Sequence, residues 1–377
     1  MPGVQRRPDG VWARLPPWAA APAVSMTGQG MIIHKATMTM DLGEHSIREG
    51  MFDIPGGIAL HHGGALRDVR VAWRLAGPAG APLVVALGGI SGHRRIYGGD
   101  GEPAGWWQEV AGPGGGFPGA RLRLLSFDYL GGSGETTGPA SAGVQGAVAR
   151  FPSVSTYDQA VVLLQLLDHL GIGVLDAIVG ASYGGMVALA FAERHPQRVR
   201  RLLIVSAADR TDPMSTAWRS VQRQVIRLGE SAGRGAEGLR LARALAQATY
   251  RSREEFAARF PGEATRGSTD EPFLFPVESY LLARGADYAR RYAPGGFLCL
   301  SESIDLHRVE ASRITVPVHA VAVLEDQLVP VADMRALVGR LADARLDEVS
   351  SHFGHDAFLK EGALLRPVFE RLLEESP

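Results

Sequence analysis

The stretch Leu175-Asp176-Ala177-Ile178-Val179-Gly180-Ala181-Ser182-Tyr183-Gly184-Gly185-Met186-Val187-Ala188-Leu189 decides the fold. An apolar run of strand length leads into a serine flanked by glycines, and a second apolar run, continuing through Ala190-Phe191-Ala192, has the length of a helix. A strand, a tight turn and a helix follow from this, because glycine lets two backbones pass closely around a strained turn. Such a turn lifts the Ser182 hydroxyl above the carboxyl edge of a sheet, where it can serve as a nucleophile.

The same alternation extends outward on both sides. Residues 69–75 alternate as a strand with one wet face, 82–87 read as a buried strand, and 122–128 form a third. A helix over 157–169 and a strand over 201–205 follow, so the chain predicts an α/β fold, a mostly parallel sheet with helices on both faces. Between 209 and 313 the pattern turns helical and Arg/Ala-rich, as in 218–228 and 238–250, which reads as an inserted helical lid. Strand 316–324, a helix around 332–341, an edge strand near 346–349 and a helix over 364–373 complete the pattern. The core is therefore expected over 51–208 and 314–377. Residues 1–50, with Met26, Met31, Met38 and Met40, are expected to be a disordered or over-extended N-terminal segment.

Composition narrows the function. A net charge of −1 provides no electrostatic footprint for nucleic acid or an anionic membrane, so the expected partner is a small molecule. No apolar run reaches the roughly 20 residues that cross a bilayer, and the first 25 residues lack the continuous apolar stretch of a secretory signal. The single cysteine, Cys299, excludes an intramolecular disulfide and points to a reducing, cytoplasmic compartment. Its apolar neighbours make it a packed residue.

A serine hydroxyl needs a general base, and the base needs an orienting acid. In this architecture the acid and then the histidine follow the serine along the chain. Asp326, just past strand 316–324, is the candidate acid, with Glu325 beside it as runner-up. His355, in the loop before the last helix, is the candidate base, with His352 as competitor. An oxyanion hole would take backbone N–H groups from Tyr183 and from Gly88 or Gly89, after strand 82–87. Gly114 to Gly119 matches G-x-G-x-x-G but precedes a strand, which argues against a dinucleotide site. His61, His62 and His93 lack metal-ligand spacing, so no metal is expected.

Several further pieces resemble the homoserine O-acyltransferase branch of the α/β-hydrolases, from about His61 to the C-terminus. They include Ser182-Tyr183-Gly184-Gly185-Met186, Gln222-Arg223-Gln224-Val225-Ile226, Thr249-Tyr250-Arg251-Ser252, Val277-Glu278-Ser279-Tyr280-Leu281 and Gly354-His355-Asp356-Ala357-Phe358-Leu359. The resemblance selects His355 over His352. It implies that Ser182 takes an acyl group from coenzyme A and passes it to the hydroxyl of L-homoserine, with no permanently bound cofactor.

By the same resemblance Arg223 would bind the homoserine carboxylate, Asp356 its ammonium group, and Tyr250 would line the site. Leu328, two residues after the acid, stands where the family selects its acyl group. An apolar side chain there suits acetyl-CoA, since a succinyl carboxylate would be left without a partner. Succinyl-CoA as donor, L-serine as acceptor and a serine esterase with the same triad are the alternatives. Ala181 before the nucleophile, where the family often has asparagine, is a departure. A homodimer through the lid is expected by analogy.

Overall fold

In the computed structural model, described for residues 4–6, 12–14, 38–42 and 45–374 apart from 99–100, 113 and 142–150, the parallel arrangement predicted around Ser182 is present. The chain divides into two compact units, Met1–Ala36 and Thr37–Pro377. In the first, Val4–Arg6 pairs antiparallel with Trp12–Arg14.

The second unit is built, among the described residues, on a nine-stranded sheet: β1 (Met38–Leu42), β2 (His45–Asp53), β3 (Arg70–Gly77), β4 (Leu83–Leu87), β5 (Arg123–Phe127), β6 (Ala177–Ala181), β7 (Leu202–Val205), β8 (Val318–Val323) and β9 (Ala344–Val349). Their order is β9-β8-β7-β6-β4-β5-β3-β2-β1. From β9 to β5 the neighbours run parallel, and β3, β2 and β1 extend the sheet antiparallel. The sheet thus begins within residues 1–50, where the sequence suggested a disordered or surplus segment. The reason is pairing: β2 matches β3 residue for residue from Ser46↔Gly77 to Asp53↔Arg70 and covers what would otherwise be an open edge.

β4 has β5 on one side and β6 on the other, so the chain changes winding direction there, and a crevice opens beyond the carboxyl ends of these strands. From β8 to β5 the parallel strands are buried on both faces, while β9, at the edge, is only partly covered. Val85 and Leu87 of β4 point into a core shared with helices α1 (Thr156–His169) and α2 (Tyr183–Arg194), while Val84 and Ala86 face Trp107, Phe117 and Phe369. Tyr183 to Ala192 of α2 are all buried, which is why that helix is apolar all round. α1 starts at a capping box in which Ser155 and Asp158 satisfy each other's backbone N–H groups.

Between β7 and β8 the chain forms α3 (Pro213–Ser231), α4 (Gly235–Tyr250), α5 (Arg253–Arg259), α6 (Pro276–Ala289) and α7 (Pro294–Asp305). These helices share a small core of their own, Ile226, Leu239, Ala242, Tyr288 and Phe297. α8 (Val331–Val338) and α9 (Gly362–Glu374) follow β8 and β9. Cys299 is buried on α7 and packs against Gly131.

Candidate active site

Ser182 sits between β6 and α2 with φ 53° and ψ −122°, a left-handed conformation that a side-chain-bearing residue rarely adopts. The turn is locked by Ser182 N–H donating to Val205 O at 2.9 Å and Gly184 N–H donating to Gly88 O at 2.9 Å. Side chains are excluded on either flank, since a Cβ on Gly180 would collide with the Gly184 carbonyl and one on Gly184 with the Leu87 carbonyl. Below the turn the buried Tyr183 hydroxyl meets Ser303 Oγ at 2.7 Å and accepts from Gln159 Nε2 at 3.2 Å, pinning the head of α2.

The loops after β8 and β9 bring Asp326 and His355 to this serine. His355 Nε2 lies 2.8 Å from Ser182 Oγ, and its Nδ1 lies 2.7 Å from Asp326 Oδ2. The other Asp326 oxygen accepts from Leu328 N–H at 2.8 Å and Val329 N–H at 3.0 Å, so the carboxylate is held at both ends. Glu325 is engaged elsewhere, accepting from Ser350 Oγ and Ser351 N–H at 2.5 and 2.8 Å, and His352 is exposed beside Phe353. Burial alone would push the His355 pKa down. The charge and hydrogen bond of Asp326, with a further contribution from Asp356, outweigh it, so the imidazole titrates above its ordinary value. The arrangement can take a proton from Ser182 and hold the resulting imidazolium.

Of the two oxyanion-loop glycines, Gly89 is the one at the serine: a Cβ there would stand 3.8 Å from Ser182 Oγ. The Gly88 carbonyl accepts from Gly184 N–H and from the Tyr129 hydroxyl at 2.7 Å, which fixes the start of this loop. Tyr183 heads α2, where the first N–H groups have no intrahelical partner.

Ser182 and His355 open into a cavity of about 270 Å³ that also shows Tyr250, Leu328 and Asp356 on its walls. Asp356 is paired with Arg251 Nε at 3.0 Å. Arg223 is not among the lining residues. Its Nη1 is taken up by Asp305 Oδ2 at 2.5 Å and by Ser301 O and Oγ at 3.1 and 3.0 Å, so its charge is neutralised inside the helical segment. Two arginines face the cavity without a carboxylate partner among the described residues, the exposed Arg291 and the half-buried Arg243, and the sequence reading missed the latter. Its signal was present: Arg243 and Tyr250 are seven residues apart on α4, two turns along one face, amid the small residues Ala242, Ala244 and Ala246. Arg219 also lines the cavity, but shares Asp305 with Arg223.

The Gly114–Gly119 pattern lies in the loop before β5, and no group of three metal-ligating side chains is close enough for a metal among the described residues. Nor is any of their helices long and apolar enough to cross a membrane.

A family model described as the alpha/beta hydrolase fold matches residues 114–362. A homoserine O-succinyltransferase of Xanthomonas campestris pv. campestris is 41% identical over 308 residues, covering 81% of this chain and 78% of the relative. A homoserine O-acetyltransferase of Clavibacter michiganensis subsp. michiganensis is 33% identical over 363 residues, covering 87% and 93%. The crystal structure of the homoserine O-acetyltransferase from Staphylococcus aureus matches with a TM-score of 0.73 at 26% identity, over 88% of this chain and 96% of that one. With the fold, the turn at Ser182 and these matches in agreement, the chain belongs to the homoserine O-acyltransferase family of the α/β-hydrolase fold.

Proposed function

We propose that this protein transfers an acyl group from acyl-CoA to the hydroxyl of L-homoserine, a step that supplies methionine biosynthesis, through an ester on Ser182. The observation that carries this reading is the Ser182–His355–Asp326 chain opening into a cavity that also displays an uncompensated cation, Arg243, and an anion, Asp356.

Ser182 Oγ attacks the thioester carbonyl while His355 Nε2 takes its proton, and the oxyanion is met by the Tyr183 and Gly89 N–H groups. The C–S bond then breaks, and the departing thiolate takes the proton from His355. In the second half homoserine's hydroxyl attacks the ester, gives its proton to His355, and Ser182 leaves with that proton. Arg243 binds the homoserine carboxylate, Asp356 its ammonium group, and Tyr250 closes the pocket beside them.

Acetyl-CoA is the proposed donor, because apolar Leu328 lines the acyl side of the cavity. A second reading, succinyl-CoA, is favoured by Arg219, which lines the same cavity and shares one carboxylate, Asp305, with another arginine. The test is coenzyme A release from acetyl-CoA and succinyl-CoA with homoserine, serine or no acceptor, with Ser182→Ala as control. Homoserine-dependent release lost in Ser182→Ala supports the proposal and identifies the donor; release without any acceptor makes the protein a hydrolase.

We further propose a cytoplasmic homodimer. Met214, Val221 and Leu228, exposed at seven-residue spacing along α3, would face a second copy. Sedimentation of the wild type as a dimer and of Val221→Glu/Leu228→Glu as a monomer is the expected result, and a monomeric wild type refutes it.

A further inference from the structure

Beside the catalytic cavity lies a second cleft, of about 460 Å³, between α4, α6 and the 353–360 turn. It shares Arg243, Tyr288, Arg291 and Asp356 with the catalytic cavity, so the two abut at these side chains. Its walls carry six cations, Arg243, Arg251, Arg259, Arg284, Arg291 and Lys360, against two carboxylates, Asp287 and Asp356. That concentration stands out in a chain whose net charge is −1.

The acids nearby do not neutralise it. Glu255 is shared between Arg251 and Arg259, and Asp287 between Arg284 and Arg290. Arg251 is further committed to Asp356, and Lys360 reaches Glu109. Arg243 and Arg291 form no ion pair among the described residues. Several of the guanidinium groups lie on aromatic faces: Arg259 over Tyr280 at 4.2 Å, Arg251 over Phe353 at 5.0 Å, and Arg243 against Tyr250 and Tyr288 at 4.7 and 4.6 Å. A stacked guanidinium is held in place with its N–H edge available, the geometry that suits a multiply charged phosphate.

We propose that this cleft binds the phosphorylated nucleotide end of the acyl-CoA donor. The proposal rests on the acyl-CoA reading above and adds to it the site of the phosphates. Coenzyme A separates its reactive sulfur from its phosphates by an extended pantetheine arm. Such a donor needs a chamber at the nucleophile for the thioester and, adjoining it, a cationic surface for the phosphates, and the two abutting cavities supply both. Arg259 and Arg284 line the cleft without lining the catalytic cavity, so they separate phosphate binding from chemistry.

The experiment uses the full chain, the Arg259→Gln/Arg284→Gln variant, the acyl-CoA that the wild type accepts, and the corresponding acyl-N-acetylcysteamine, a thioester without phosphates. Adenosine 3′,5′-bisphosphate serves as the binding probe. Expected are competition between the bisphosphate and acyl-CoA in the wild type, and a KM for acyl-CoA and a bisphosphate Kd both raised about tenfold in the variant, the modest size following from the half-exposed, water-screened position of both guanidinium groups. The KM for homoserine and kcat/KM with the phosphate-free thioester stay at wild-type values. An unchanged acyl-CoA KM, or an equal loss with both thioesters, overturns the assignment while leaving the acyltransferase reading intact. A wild type that acylates homoserine from no acyl-CoA overturns that reading itself, and the cleft's role with it.

Discussion

Arg243 donates from Nη1 to the Tyr250 hydroxyl at 2.8 Å and lies against the same ring, its guanidinium carbon 4.7 Å from the centroid. Tyr250 thus fixes the cation that faces the catalytic cavity without giving it a counter-charge. Arg243→Gln should raise the KM for homoserine about a hundredfold, since a charge-assisted pair contributes roughly 1.5–3 kcal/mol. The burst of coenzyme A that reports acylation of Ser182 should persist, and an equal loss of both steps would make Arg243 a structural residue instead.

Arg223→Gln should act on stability. Asp305 would keep only Arg219 as its cationic partner, and loss of a buried charged hydrogen bond costs about 1–3 kcal/mol. Urea unfolding together with homoserine kinetics checks this: a lower midpoint with KM near wild type is expected, and a large KM effect with an unchanged midpoint would return Arg223 to the substrate.

The pH profile follows from His355. The base works when neutral, and its titration lies above the ordinary imidazole value, so kcat/KM should fall on acidification earlier than it would with an unperturbed histidine. Asp326→Asn removes the main group that raises it. The acid limb should then move to lower pH while kcat falls by about 10⁴, the scale for losing a triad's orienting carboxylate. A limb that stays in place would mean another group controls it.

His307, at the end of α7, is buried and contacts Thr156 Oγ1 at 2.8 Å and Ala208 O at 3.1 Å, tying the helical segment to the core. Burial lowers its pKa to about 4. The folded value lies below the unfolded one, so the unfolded chain takes the proton first as pH falls. This residue's contribution to stability is fully present above about pH 6.5 and is lost as pH drops toward 4. His307→Gln should flatten the dependence of the unfolding midpoint on pH within that window; parallel curves for the two proteins would count against it.

Leu328 offers a test of donor choice. Its backbone is fixed by Asp326 on one side and by Ser215 Oγ, which donates to its carbonyl at 2.9 Å, on the other, so a new side chain there should enter the cavity in a defined direction. Leu328→Arg is expected to shift the ratio of kcat/KM values toward succinyl-CoA. An unchanged ratio would put acyl selection elsewhere on the cavity wall, with Arg219 as the next residue to vary.

The sheet, the turn at Ser182 and the acid–histidine order were legible in the sequence because each rests on local information: apolar runs of characteristic length, glycines at a tight turn, and chain order. The cation of the proposed acceptor pocket was not, for a physical reason. Arg219, Arg223 and Arg243 look alike as helical arginines, and the arrival of Asp305 from the end of α7 decides that the first two lose their charge to the protein. β2 was missed in the same way, since its strand character is conferred by its partner β3.

The triad comes from loops at the end of β6, β8 and β9, while Arg243 and Tyr250 come from a stretch of chain spliced between β7 and β8. The proposed ester-forming residues and the cation proposed for the acceptor are therefore on separate pieces of covalent structure, while Asp356 joins the two from beside His355. Selection experiments that vary residues 213–305 but keep Ser303, which braces Tyr183, and Arg251, which braces Asp356, would therefore alter the proposed acceptor wall while leaving the reacting serine in place.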